Sequence, residues 1–199
     1  MESSAERLQP MIINQYLTIN AMRSGSYMER TRHNATSSDF TVACALDFTT
    51  AGERFTKKVA GDKYIALKLD EQTIPSARIL YRALVDNHAK VLNLAGNGIH
   101  SLTKKEVSQR QVNLWIHDVL VLVHAHYPLQ GLKSGGQTGV DIAAAVVGPL
   151  LHIPTEINFP QGYMQRGESG VDFMQPLEKV QRAIEKMRSQ LIEDLQVTS

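Results

Sequence analysis

Residues 132–141 read Leu-Lys-Ser-Gly-Gly-Gln-Thr-Gly-Val-Asp, and this stretch decides the fold. Gly131 to Ser134 reads as a short strand, and Gly135 and Gly136 let the backbone turn tightly behind it. The Ala- and Val-rich run from Val140 to about Gly148-Pro149 predicts a helix. Strand, glycine turn and helix in direct succession form the unit of a parallel sheet, because a parallel crossover needs a helix to bring the chain back across the sheet.

The same alternation extends in both directions. Towards the N-terminus, Phe40–Phe48 (FTVACALDF), Lys63–Leu69 (KYIALKL) and Lys90–Ala95 (KVLNLA) predict strands. Between the first two, residues 49–62 have hydroxyls and Glu53 at the start, Lys57 and Lys58 at the end and Gly61 as a stop, the polarity a helix dipole favours. Between the next two, Pro75 suits a first helical turn, and Ala77, Leu80, Ala83 and Leu84 recur on one face. Thr103 with Glu106 predicts a capping box opening a helix with Val107, Gln111, Leu114, Trp115, Val119, Leu122 and Val123 on its apolar face. Towards the C-terminus, Thr155–Phe159 predicts a strand, 160–175 an irregular loop, and Pro176 the start of a helix with Leu177, Val180, Ile184, Met187, Leu191 and Leu195 aligned. The pattern is that of an α/β protein with a mostly parallel sheet covered on both sides. The polar, turn-rich residues 1–38 are expected to be an N-terminal arm or cap, with a short helix over 11–22, and residues 39–199 to be the domain.

Composition narrows the function. The 199 residues carry 21 Lys plus Arg against 20 Asp plus Glu, a net charge of +1, which disfavours a coat for nucleic acid or an anionic membrane. Cys44 is the only cysteine, so neither a disulfide within the chain nor a thiolate-built metal centre is expected. No apolar run approaches membrane-spanning length, and the first ten residues lack a signal-peptide core. The expectation is a cytoplasmic chain without nucleic-acid or membrane partners.

Residues 134–141 carry the strongest chemical signal. The bare amides of Gly135, Gly136, Gln137, Thr138 and Gly139, aimed by the following helix, predict a seat for an anion such as phosphate, with Ser134 and Thr138 adding hydroxyls. Asp141 would repel a phosphate it faced; it can instead cap the helix or accept from ribose hydroxyls. The run matches neither the dinucleotide fingerprint nor the P-loop, because no Gly-Lys-Ser/Thr follows. Gly96, Asn97 and Gly98 form a second glycine turn after another strand, so both turns are expected at the carboxyl edge of the sheet, where open α/β sheets bind ligands. His100 follows it. Asp47 and Glu53, after the first strand, are expected near the same edge, and Arg166 lies in a glycine-bearing loop able to close over a phosphate. Asp47, Glu53, His100 and Asp141 are the candidate catalysts; no metal site and no cofactor is expected.

The phrase SGGQTGVD, with the IP and TEINFPQG segments after it, resembles the Rossmann-like SLOG superfamily and within it the proteins labelled putative molybdenum carriers. The likeness covers residues 131–163 and extends more weakly to about residue 90 through LAGNGIH. It implies a Rossmann-like three-layer sandwich that binds a phosphorylated nucleotide or nucleotide-derived ligand, ADP-ribose-like or cyclic. Gly135, Gly136, Thr138 and Gly139 would line the phosphate site and Asp141 would begin the supporting helix. The resemblance also favours a homodimer or higher homo-oligomer. Hydrolase members carry PGGxGTxxE, whose glutamate is absent here. Binding as sensor, carrier or sponge is therefore the leading expectation. A phosphoribohydrolase or other N-glycosidic hydrolase is the alternative, and a structural assembly module the third.

Overall fold

A computed structural model describes residues 15–197. Six strands form one sheet: β1 (Leu17–Ala21), β2 (Phe40–Ala45), β3 (Tyr64–Lys68), β4 (Val91–Gly96), β5 (Gly131–Ser134) and β6 (Thr155–Phe159). Their order is β1-β6-β5-β4-β2-β3, and every pairing is parallel. Seven helices accompany them: α1 (Tyr27–Thr36), α2 (Ala51–Ala60), α3 (Thr73–Asp86), α4 (Ile99–Thr103), α5 (Gln109–His126), α6 (Val140–Leu150) and α7 (Leu177–Val197). A small hairpin, β7 (Gln165–Arg166) with antiparallel β8 (Asp172–Phe173), interrupts the stretch expected to be irregular.

The layering follows from crossover direction. The connections through α1 and α2 run one way along the sheet; those through α3, α5 and α6 run the other way, and right-handed crossovers therefore place the two groups on opposite faces. Accordingly α1 packs on α2, whereas α3, α5, α6 and α7 pack in a second layer. The result is a Rossmann-like α/β sandwich. Helix α6 lies on β4, β5 and β6 beneath α5 and α7, and residues 140–149 are buried all round it. That burial explains why its sequence has almost no polar face. Gly148 is part of the fit, since a Cβ there would collide with the Thr155 side chain.

Three expectations are corrected. Of the supposed arm, Leu17–Ala21 is not helical but an edge strand in parallel register with Thr155–Phe159, and Tyr27–Thr36 is a helix capped by the Ser26 hydroxyl on Glu29 N–H. The arm and cap reading fails from residue 17 because Ile19 and Leu17 pack against the core; residues 1–14 lie outside the described residues. The long helix opens not at Thr103 but at Ser108, whose side chain and that of Gln111 form the capping box. With that later start the buried face is Val112, Ile116, Val119, Leu120 and Val123, and Leu122 is exposed. Thr103 instead ends α4, its hydroxyl donating to the Ile99 carbonyl.

Candidate functional site

The strand order reverses between β2 and β4: from β2 the chain proceeds to β3 on one side, and from β4 to β5 on the other. Loops leaving the carboxyl ends of such neighbours diverge and open a crevice. A cavity of about 590 Å³ occupies that position, walled by α1, the start of α2, the end of β4 with α4, and the bend after β5. Asn97 holds the crevice in shape. Its side-chain oxygen accepts from Leu46 N–H and Asp47 N–H, both at 3.0 Å, while Nδ2 donates to the Asp47 carbonyl at 3.0 Å and to Glu53 Oε1 at 3.2 Å. One buried side chain thus ties the loop after β2 to the end of β4.

Glu53, Asp141 and Arg30 form the floor. Glu53 stands in the first turn of α2, where Thr50 caps its N–H, and only 4% of it is exposed. Its Oε2 is buried with no hydrogen-bond partner among the described residues. Burial, reinforced by the negative charges of Asp141 and Asp47 and opposed by the Asn97 bond, lifts its carboxyl to about 7. Asp141, in the first turn of α6, accepts from the N–H groups of Gln137 and Gly96 and meets the Arg30 guanidinium at 3.1 Å. Burial raises its carboxyl as well, against the pull of Arg30 and the two amides. Arg30 comes from α1; it donates from Nη1 to the Gly135 carbonyl at 3.2 Å, and its Nε is buried without a partner among the described residues. Sequence reasoning missed Arg30 because a lone arginine in a polar helix gives no local sign of burial. Asn34, one turn on, is buried as well and accepts from Asn158.

The bend from Gly135 to Gly139 is engaged with the protein itself. Gln137 N–H serves Asp141, Thr138 N–H its neighbour's Gln137 Oε1 at 3.2 Å, Gly139 N–H Gln109 Oε1 at 2.7 Å, and Val140 N–H the Asn97 carbonyl at 3.1 Å. The N–H groups of residues 137–140 thus have partners within the protein. The glycines also permit close packing. A Cβ on Gly136, whose φ is +71°, would stand 2.5 Å from the Phe159 ring, and one on Gly135 would stand 2.5–2.6 Å from Arg30 and Asp141. Gly139, at φ +101°, lies against the Asn97 and Gly98 backbone, to which it is bridged. Ser134 is fully buried and donates to the Leu94 carbonyl across the sheet, and the Thr138 hydroxyl donates to the Arg166 carbonyl.

Nine of the residues singled out from the sequence line the cavity: Glu53, Gly96, Asn97, Gly98, His100, Gly135, Gln137, Asp141 and Arg166. Ser134, Gly136, Thr138, Gly139 and Asp47 stand behind or beside it. The Asp47 carboxylate accepts from Thr49 N–H at 2.7 Å and Thr49 hydroxyl at 2.6 Å, which hold it below the usual carboxylate range. At the mouth, Arg166 makes a two-bond contact with Asp172 at 2.8 and 3.0 Å, and Tyr27 donates its phenol to the same carboxylate at 3.0 Å. The guanidinium carbons of Arg30 and Arg166 lie 5.4 and 5.6 Å from the Tyr27 ring centroid. His100 contacts the Glu168 carbonyl through Nδ1 at 2.7 Å, so the β7–β8 hairpin is pinned over one side of the opening.

Among the described residues no group of three or more His, Cys, Asp or Glu is placed to hold a metal ion, and no helix is long and apolar enough to cross a membrane. A parallel Rossmann-like sheet with a polar cleft at its switch point defines an α/β protein whose crevice lies where open α/β sheets carry their ligand sites. The chain belongs to the circularly permuted YpsA SLOG family, whose model matches residues 4–118. The match spans α1, α2 and the β4 turn, and so includes Arg30, Glu53 and Asn97. No curated protein and no solved structure matches the chain. Membership in this family suggests a nucleotide-related function.

Proposed function

We propose that the switch-point cleft binds a nucleotide-derived small molecule, with the protein serving as its sensor, carrier or sponge. One observation carries this reading. The cavity of about 590 Å³ has on its floor two nearly buried ionisable side chains, Glu53 and Arg30, each with a polar atom that no protein group satisfies among the described residues. Such atoms are costly in a fold unless a ligand or solvent engages them. The volume lies in the range of small-molecule sites. Titration calorimetry of the full chain against ADP-ribose, AMP and cyclic dinucleotides tests the reading: saturable binding of one of them supports it, and heat of dilution alone with all three refutes it.

Hydrolysis of an N-glycosidic bond is the second reading, favoured by the Glu53 carboxyl at about 7 close enough to Asp141 to feel its charge. A carboxyl poised there can give a proton to a leaving base at neutral pH, while a second carboxylate stabilises positive charge developing on the sugar. Incubation with AMP or NAD and detection of free base separates it from binding alone. Release that disappears in Glu53→Gln while binding survives supports hydrolysis.

A further inference from the structure

Resting on that reading of the cleft, we propose that its floor takes the uncharged, hydroxyl-bearing sugar of the ligand through Glu53 and Arg30, and that a phosphate, where present, lies outside the floor. The unsatisfied atoms are of opposite kinds. Arg30 Nε–H, like every guanidinium N–H, can only donate, and it is left without a partner among the described residues while Nη1 and Nη2 meet the Gly135 carbonyl and Asp141. Glu53 lines the cavity; its Oε2 is buried without a partner among the described residues, while its sister oxygen accepts from Asn97. A hydroxyl accepts from one and pairs with the other, and adjacent sugar hydroxyls can do both at once.

Phosphate suits the floor poorly. A fully ionised phosphate brings no donor, so it leaves a deprotonated Glu53 unsatisfied, whereas a hydroxyl can pair with either form. Asp141 already neutralises Arg30, so two carboxyl groups accompany one guanidinium, and a dianion would meet repulsion in a place of low solvent access. Of the amides in the bend, those of residues 137–140 are taken by Asp141, Gln137, Gln109 and Asn97. The remaining cation on the lining besides Arg30 is Arg166, at the mouth, where its pairing with Asp172 is about two-fifths exposed and open to exchange.

The test titrates the full chain with adenosine, guanosine, cytidine and uridine, with their 5′-monophosphates, and with the 2′,3′-dideoxy form of the best-binding nucleoside. A nucleoside within about tenfold of its monophosphate, and a loss of about tenfold or more for the dideoxy form, are expected. Glu53→Ala should weaken nucleoside and monophosphate alike by about tenfold or more. If that variant does not fold by circular dichroism, the dideoxy comparison on the unaltered chain carries the test. A monophosphate that binds while its nucleoside does not, displacement by millimolar inorganic phosphate, or a dideoxy form as tight as its parent overturns the proposal and leaves nucleotide binding standing. Absence of binding by every nucleoside and nucleotide overturns both.

Discussion

Replacing Glu53 by Gln should make the protein more stable at alkaline pH and leave it little changed in acid. In the folded chain the Glu53 carboxyl is raised from 4.5 to about 7, chiefly by burial. A carboxyl with a raised folded value favours the native state when protonated, so its contribution is fully present below about 4.5 and is lost as pH climbs through about 7. A shift of that size corresponds to roughly 3 kcal/mol, an order-of-magnitude figure for a group 4% exposed. Glutamine keeps the shape and an oxygen for Asn97, and it cannot ionise. Asp141, Asp47 and Arg30 remain to titrate in both proteins, so the comparison isolates Glu53. Urea unfolding of both proteins at pH 4.5 and pH 8.5 reads the difference. The stability gap, variant minus parent, should widen by roughly 3 kcal/mol between the two values, a melting difference of roughly 6–12 °C at the alkaline end. An equal gap at both pH values would show that Glu53 is ionised and satisfied in the native state, and the account of the cleft floor would fail.

Other substitutions probe the same framework. Arg30→Met leaves Asp141 buried without its cation and should cost about 3–5 kcal/mol in urea unfolding, with the loss growing as pH rises and Asp141 is forced to ionise. Gly136→Ala pushes a methyl group towards the Phe159 ring at a positive φ; thermal melting should show a loss of about 2–4 kcal/mol, and unchanged stability would mean the bend relaxes freely. Asn97→Ala removes four hydrogen bonds between the β2 loop, Glu53 and β4, and should speed amide exchange across residues 46–53 while costing about 2–4 kcal/mol. Asp172→Ala breaks a half-exposed pair, so stability should move by less than about 1 kcal/mol while exchange in residues 165–173 rises.

What the sequence alone determined was the alternation of strands and helices from Phe40 onward and the arrival of both glycine turns at one sheet edge. Those features are local: runs of apolar residues at strand or helix period, caps such as Thr50 and stops such as Gly61 express themselves within a few residues. Tertiary structure decided the rest. Leu17–Ala21 became a strand because β6 offers it a parallel edge 138 residues away, and α5 turned its face to suit α3 and α6. The largest divergence concerns residues 137–140, whose amides a sequence presents as free. Whether a backbone donor is free depends on what the fold brings opposite it, and here the fold supplied Asp141, Gln109 and Asn97 to the bend and Arg30 to the floor beside it. Hydrogen bonding and burial between distant segments are properties of the packed chain, so the position of the glycine turns was legible and the partners of their amides were not.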